Sequence, residues 1–558
     1  MKRLLYISIL IFTVLVSKSQ VSVNGNKITL QETYITAHVE PSQLQALSDR
    51  FSVDKVTRVG SGLEVQICLQ ESDIDDFLSM DIPYSVCENT RAYVQMAHSY
   101  DEMVASWNRY PTYSAYCQIM ERFQSEHPEL CSIDTILAST PNGHSIFVAH
   151  ISSNVVGGGK PSVLYTSTIH GDEVVGYYML IRLIDKLLNE YSTNEEIKGL
   201  VDNTDIWICP LHNPDGTYRT SDNTINSSPV STRANAHNID LNRSFPKVTG
   251  PVAKSDYEPE VEAMMEFMET HNFTLAANLH GGAEVFNFPW DSWMTYQRKH
   301  ADFDWWNLVG RAFADTCHKY SQNYMLIEDN GVTPGGDWYV ITGSMQDYHN
   351  YYLGTRHVTI EVGDDKVLSS YLLPTYWGYA YRSLLNFIGE SVNGIHGVVT
   401  DTLTGEPLKA TVFINSHDKD HSHVESSLPY GDYHRPIKAG TYAVTFSSPG
   451  YLSKTVEVSA EDGAKTVLDV QLVKNTGIVG RTQGITVYPN PANDYIYIGN
   501  DGTDVKSTAR FYDQTGRLLQ EKGIESSTNI DISTFPAGVY LLEIENRNGV
   551  ERLKIIKR

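Results

Sequence analysis

The sequence predicts an α/β fold: a mixed sheet flanked by helices, preceded by a small α/β module and followed by two β-rich modules. Three observations predict it. From Tyr110 to about Asn393, short apolar strand-like runs alternate with longer helix-like segments, the order that builds a sheet covered by helices. Three residues suited to chemistry, His170, His280 and Glu361, fall at the ends of such runs, where sites gather in open α/β sheets. Beyond Asn393 the pattern changes to short alternating runs between turn signals, as in β-sandwiches.

A chain of 558 residues is too long for one ordinary core and has room for three or four domains. Its formal net charge of −24 argues against nucleic-acid binding and mildly favours cationic substrates. Residues 1–19 read as a secretory signal peptide, with Lys2 and Arg3 before the apolar stretch Leu4 to Val16 and small residues at Ser17-Lys18-Ser19. That stretch is too short to span a membrane, and no later segment reaches about 18–20 apolar residues. Six cysteines without a CxxC spacing make neither a disulfide scaffold nor a thiolate zinc site, and buried or bridged thiols are expected.

Residues 20–95 alternate between strand-like stretches (Ile35 to Val39, Leu63 to Leu69) and helix-like ones (Pro41 to Phe51, Ser72 to Leu78). A module of that kind ahead of an enzyme domain suggests a prosegment that helps folding or covers the active site. Residues 110–393 form the main domain. Ser162 to Thr166 is a strand leading into His170, the helix-like Val174 to Tyr191 follows, and Asp205 to Cys209, Leu275 to Leu279 and His357 to Glu361 are further buried strands. Residues 394–475 read as a β-sandwich, Lys474 to Gly484 as a linker, and 485–558 as a second β-rich module.

His170, Glu173 and His280 can place two imidazoles and one carboxylate around a single metal. Three protein ligands leave a tetrahedral zinc one open position for water, the difference between a catalytic and a structural site. A His-x-x-Glu pair alone is weak, because it arises often by chance. The stretch Arg233-Ala234-Asn235-Ala236-His237-Asn238-Ile239-Asp240-Leu241-Asn242-Arg243 adds two arginines, three asparagines and an aspartate.

With that stretch the chain resembles the M14 family of zinc carboxypeptidases, in particular the N/E branch that includes carboxypeptidases D, E, N and M. The markers, in order, are His-Gly-x-Glu, Arg-x-Asn-Ala-x-x-x-Asp-Leu-Asn-Arg, Asn-Leu-His-Gly-Gly, Gly-x-Met-Gln-Asp and a strand-borne Glu, across most of residues 110–393. The resemblance implies a mixed eight-stranded carboxypeptidase sheet and one zinc held by His170, Glu173 and His280. It makes Glu361 the general base that takes a proton from a zinc-activated water and returns one to the leaving amine. Arg233 is implied to stabilise the oxyanion, and Asn242 and Arg243 to hold the substrate's terminal carboxylate. Tyr339 matches a mobile tyrosine that closes over substrate, and Asp240 the carboxylate that orients the first zinc histidine.

Asp291, eleven residues after His280, matches the branch position that points at the last substrate side chain, and Gln346 the other pocket position. A buried carboxylate without a cation is costly, so this pocket favours a C-terminal Lys or Arg. Ser244 replaces the branch's usual Asn, and Val362-Gly363-Asp364-Asp365-Lys366 is more acidic than in many relatives. Neither departure touches an assigned role.

Residues 394–475 resemble the transthyretin-like, carboxypeptidase regulatory-like β-domain of the same branch. There His417, His421 and His423 stand with Asp418 and Asp420, and a solvated turn is the expectation rather than a second metal site. Residues 485–558 resemble the C-terminal sorting domain of type IX secretion cargo in Bacteroidetes, through Val487-Tyr488-Pro489-Asn490-Pro491-Ala492 and the basic end Lys554-Ile555-Ile556-Lys557-Arg558. The expectation is a zinc metallocarboxypeptidase, secreted or attached to the cell surface. It would act on peptide and protein C-termini, with the type IX machinery as partner, and would have no nucleic-acid partner or transmembrane segment. The alternatives are an amidase on peptidoglycan stem peptides and a catalytically silent peptide-binding module.

Overall fold

The computed structural model describes residues 20–23, 26–29, 32–87, 92–153, 159–225, 232–249, 257–475, 480–482, 485–500, 507–524, 528–546 and 549–558. The expected signal peptide and part of the expected linker lie outside these residues.

The N-terminal module is an antiparallel sheet of β1 (Glu32–Val39), β2 (Ser52–Val59), β3 (Gly62–Gln70) and β4 (Tyr84–Val86), in the order β2-β3-β1-β4. Alternation along β3 sends Leu63, Val65 and Ile67 into a core with Val53, Val56 and Phe77. One side chain in that cluster comes from elsewhere: Tyr339 packs against it.

The central domain is built on eight strands: β5 (Cys131–Leu137), β6 (Ile146–Ile151), β7 (Ser162–Ser167), β8 (Asp205–Cys209), β9 (Phe273–His280), β10 (Ala283–Phe288), β11 (Val332–Pro334) and β12 (Arg356–Gly363). Their order is β11-β10-β12-β9-β7-β8-β6-β5. The middle four, β12, β9, β7 and β8, run parallel, while β6 and β10 join them antiparallel. Every residue of β9 and β12 is buried, as expected for strands covered on both faces.

The helices are α1 (Tyr113–Glu126), α2 (Val175–Asn189), α3 (Pro259–Thr270), α4 (Phe303–His318), α5 (Met345–Tyr352) and α6 (Leu373–Glu390). One sheet face packs on α1, α2, α4 and α6, through Val163, Tyr165, Ile208 and Val358. The opposite face packs on α3 and α5, through Leu164, Trp207 and Ala276. The two sets of strand residues alternate in sequence, so the two-residue period of the strands is what separates the layers.

Residues 394–473 form two facing sheets around Ile395, Val412, Ile414, Tyr433 and Phe446. The expected solvated turn is corrected here. His417 lies 2.8 Å from Asp302, and Asp418 is buried in a salt bridge to Arg435. The stretch docks on the central domain, because Asp302 needs cationic partners that the β-sandwich supplies. The C-terminal module is two four-stranded sheets over a core that includes Ile496, Phe511, Leu542 and Ile555. No disulfide joins any of the six cysteines, and no helix among the described residues is long and apolar enough to cross a membrane.

Candidate metal and substrate site

The site lies at the carboxyl ends of β7, β9 and β12. Strand β7 ends at Ser167, and a turn carrying Thr168 at φ 58° delivers His170 and Glu173 ahead of α2. Gly171 makes that turn possible: a Cβ there would stand 2.4 Å from the backbone of Gly216. Asn213 Nδ2 donates to the carbonyls of Ile169 (3.2 Å) and Arg233 (3.3 Å), and Gly171 N donates to Arg233 O (3.1 Å). Three segments distant in sequence are thereby clamped, which sets Arg233 beside the His170–Glu173 turn. His280 ends β9 and pairs in register with Glu361 on β12.

Donor atoms of His170, Glu173 and His280 all lie within 4.8 Å of one another, and the three residues are buried. Glu173 stands between the imidazoles, Oε1 at 2.9 Å from His170 Nδ1 and Oε2 at 2.8 Å from His280 Nδ1. Outside them, Asp240 Oδ1 accepts from His170 Nε2 at 3.1 Å, and the Asn278 amide lies 2.8 Å from His280 Nε2. Both Nδ1 atoms therefore turn inward, and the Asp240 carboxylate that accepts from the outer nitrogen of His170 is the second-layer arrangement that orients a metal-binding histidine. Burial alone would push the Glu173 carboxyl up, but His170, Lys366 and His280 outweigh it and hold it well below the usual carboxylate range. Burial lowers His280, which favours the neutral, ligating imidazole.

Glu361 is held well above the usual range by burial and then by the charges of Glu173 and Asp54. Its Oε2 has no hydrogen-bond partner among the described residues. A two-imidazole, one-carboxylate donor set next to an orphaned buried carboxylate oxygen fits a metal and its polarised water.

Asn242 and Arg243 lie on a short 3₁₀ turn whose Asp240 side chain caps Asn242 N at 2.9 Å. Met345 N donates to Asn242 Oδ1 at 3.0 Å, which leaves the Nδ2 donor for the cavity. Asn242, Arg243, Asp291, Tyr339 and Glu361 all line the cavity that contains the metal-ligand set. Gln346 stands behind them: its Oε1 accepts from Thr359 N at 2.6 Å, so its Nε2 faces and donates to Asp291 Oδ1 at 2.8 Å. Beneath Asp291, Asp347 accepts from the backbone of Asp291 (2.9 Å) and Ser292 (2.8 Å). Burial raises Asp347 to about 6 against those bonds, and burial and then the Asp347 charge push Asp291 up to about 8.

Sequence reasoning missed four participants. Asn287 and Thr359 line the pocket. Lys366 Nζ lies 3.2 Å from Asp172 and 3.4 Å from Glu173. Asp54 of the N-terminal module reaches Arg233 at 2.8 Å. The motif positions of Asn287 and Lys366 were visible, but nothing near Asp54 in sequence signals its partner. Tyr339 does not stand over an open groove, because its ring packs on the N-terminal module.

A family model described as zinc carboxypeptidase matches residues 116–382. One described as carboxypeptidase regulatory-like domain matches 394–473. A secretion system C-terminal sorting domain matches 486–558, which marks the chain for export or surface attachment. Carboxypeptidase SOL1 of Arabidopsis thaliana is 32% identical, over 65% of this chain and 72% of its own length. The catalytic chain of carboxypeptidase N from Mus musculus is 30% identical, over 58% of this chain and 79% of its own. Carboxypeptidase D of Anas platyrhynchos is 34% identical over 62% of this chain, and the match spans 25% of that longer protein. Among solved structures, thrombin activatable fibrinolysis inhibitor aligns at a TM-score of 0.47 and 17% identity, over 64% of this chain and 98% of that one.

Proposed function

The chain belongs to the zinc carboxypeptidase family, and from that premise we propose that it is an exported exopeptidase releasing C-terminal Lys or Arg from peptides and proteins. One observation carries the reading: Arg243, Asn242 and Asp291 line the same cavity as His170, Glu173, His280 and Glu361. A carboxylate clamp, a buried acid and a hydrolytic centre in one groove suit a substrate that ends there with a basic side chain.

Zinc held by His170, Glu173 and His280 would supply a Lewis acid and lower the pKa of water to about 7. Glu361, with its free Oε2, takes the proton from the attacking water and hands it to the departing amine. Arg233 places a fixed guanidinium where charge builds on the carbonyl oxygen. Arg243 pairs with the terminal carboxylate, Asn242 adds a neutral donor, and both restrict cleavage to the last bond. Asp291, held by Gln346, meets the ammonium or guanidinium of the residue that leaves.

The test is hydrolysis of hippuryl-Arg, -Lys and -Phe before and after limited proteolysis, with and without a chelator. Arg and Lys substrates should be cleaved faster than Phe, and chelation should abolish turnover. Glu361→Gln should lose roughly a hundred- to ten-thousandfold in kcat. Faster cleavage of the Phe substrate would refute the specificity, and full activity in Glu361→Gln would refute the mechanism.

A further inference from the structure

Residues 213–222 form a bracket for the loop that carries Arg233, Asn242 and Arg243. Asn213 Nδ2 donates to Arg233 O at 3.3 Å, and Thr232 N donates to Gly216 O at 2.9 Å. Arg219 Nη1 donates to Asn235 O at 2.6 Å and its Nη2 to Asn238 Oδ1 at 2.7 Å. The fit is close, since a Cβ on Gly216 would stand 2.7 Å from Ala234 O. The loop takes its place from groups on this neighbouring segment, so whatever fixes the bracket fixes the arginines.

Both ends of the bracket meet one side chain, His144, from the turn between β5 and β6. Its Nδ1 lies 2.6 Å from Asp215 Oδ1 and its Nε2 3.2 Å from Asp222 Oδ1, and the ring is buried. Carboxylate oxygens only accept hydrogen bonds and a neutral imidazole has one N–H, so only the doubly protonated ring makes both bonds. Burial alone would lower His144, but Asp215 and Asp222 outweigh it and raise the ring. Burial alone would raise Asp215, but His144, Thr140 Oγ1 (2.6 Å) and Asn142 N (3.0 Å) outweigh it and keep the carboxyl low. The other groups facing the ring are Tyr113, with ring centres 4.3 Å apart and its OH accepting from Ser145 N, and Tyr218 at 6.3 Å. Cys117, whose thiol is pushed up first by burial, also lies within range of the Asp222 charge.

We propose that His144 is a positioning residue: as an imidazolium it staples the bracket shut, and on losing a proton it releases the Asp222 end and loosens the arginine loop. The proposal rests on the hydrolase reading above. The partners decide which end opens. A neutral ring with its proton on Nδ1 keeps the short bond to buried Asp215, which Thr140 and Asn142 also hold. The bare Nε2 then faces the Asp222 carboxylate with no proton between them, and that exposed side chain turns to water. Asp222 keeps one backbone bond, from Tyr113 N to its carbonyl at 2.8 Å. Because the pairing raises the ring above its ordinary 6.5, the staple's stabilisation is complete below that value and is lost as pH rises through the native one. In the hydrolase reading Arg233 serves charge that exists only in the transition state, so loosening should show in kcat before KM.

Hydrogen exchange and kinetics on the full chain, as wild type, His144→Gln and Asp222→Asn, test this from about pH 6 to about pH 9, across the histidine range. Asp222 is 62% exposed, so its replacement leaves the core intact even if His144→Gln folds poorly. Corrected for the intrinsic rate, exchange across residues 213–225 and 232–243 should rise several-fold with pH in the wild type and be high throughout in His144→Gln. In Asp222→Asn the imidazolium loses one of its two acids, and the rise should come about one pH unit lower. On a C-terminal-Arg peptide, kcat should fall roughly tenfold along the same curve, with KM changed much less. Asp222→Asn should move that fall by the same amount, whereas a role in folding alone would lower activity without moving it along the pH axis. Wild-type exchange indifferent to pH, or a fall in kcat that Asp222→Asn leaves in place, overturns the proposal. Exchange that follows the expected curves in chains that hydrolyse no peptide keeps the staple and sinks the hydrolase reading.

Discussion

Under the proposed function, Asp291 is where proton binding and substrate choice meet. Burial and the Asp347 carboxylate raise its pKa from 3.8 to about 8, so the empty pocket keeps a proton that the unfolded chain has already released. Stability is linked to that difference. A carboxyl with a raised native pKa costs nothing below the unfolded value and destabilises progressively as pH rises towards the native one. The empty protein should therefore lose stability between pH 3.8 and about 8, and Asp291→Asn should flatten the slope by one proton. Denaturant midpoints across that range measure it. A cationic side chain in the pocket favours the ionised form, so the preference for an Arg-ended over a Leu-ended peptide should climb with pH and level off above about 8. A ratio of kcat/KM values independent of pH would remove Asp291 from specificity.

At the scale of elements, the pocket depends on how closely the segment after β11 approaches the loop that carries Asp291. A Cβ on Gly335 would lie 2.0 Å from Asp291 Oδ1 and 2.7 Å from Asn287 Oδ1. Gly335→Ala must push the carboxylate or the short Gly335–Trp338 helix aside. A displacement of about 1 Å at a binding group can cost a hundredfold. Arg-ended peptides should lose roughly ten- to a hundredfold in kcat/KM, and Leu-ended peptides much less. Paired kinetics on the two peptides check this, and equal losses would mean a general defect. The same scale shows what was legible in the sequence. β7, β8, β9 and β12 were readable because strands buried on both faces are continuous apolar runs. The cluster of His170, Glu173 and His280 was readable because its residues stand at or just beyond the ends of those runs. The β-bulge that leaves Asp54 unpaired between Val53 and Lys55 in the β2–β3 ladder was not, since a bulge exists only relative to a partner strand. Lys366 was visible as one basic residue after a glycine and two acids, but its pairing with Asp172 and Asp54 is made by folding alone.

At the scale of the whole molecule, a second buried charge cluster joins the central domain to the β-sandwich. Asp302 precedes α4 and accepts from Arg356 Nη2 at 2.7 Å and Arg435 Nη2 at 2.9 Å. Arg435 also reaches Asp418 at 2.6 Å, and all four side chains are at most 2% exposed. Arg356 opens β12, the strand that ends in the Glu361 region, so the β-sandwich is tied to the foot of a strand that lines the cavity. Burial alone would lift Asp302, but Arg435 and Arg356 hold it well below the usual range. An intact buried cluster of this kind contributes little net stability, whereas removing one partner strands an uncompensated charge at a cost of about 3–5 kcal/mol. Asp302→Ala leaves two guanidiniums facing one remaining acid, Asp418, and should destabilise by about that amount. Replacing Asp302, Arg356, Arg435 and Asp418 together by Leu, Met, Met and Asn removes every charge of the cluster and should recover most of the loss. Chemical denaturation of the two variants against the wild type decides it. A single variant as stable as the wild type would mean that the β-sandwich is not anchored through Asp302. A quadruple variant as unstable as the single one would mean that the cluster contributes net stability beyond satisfying its own charges.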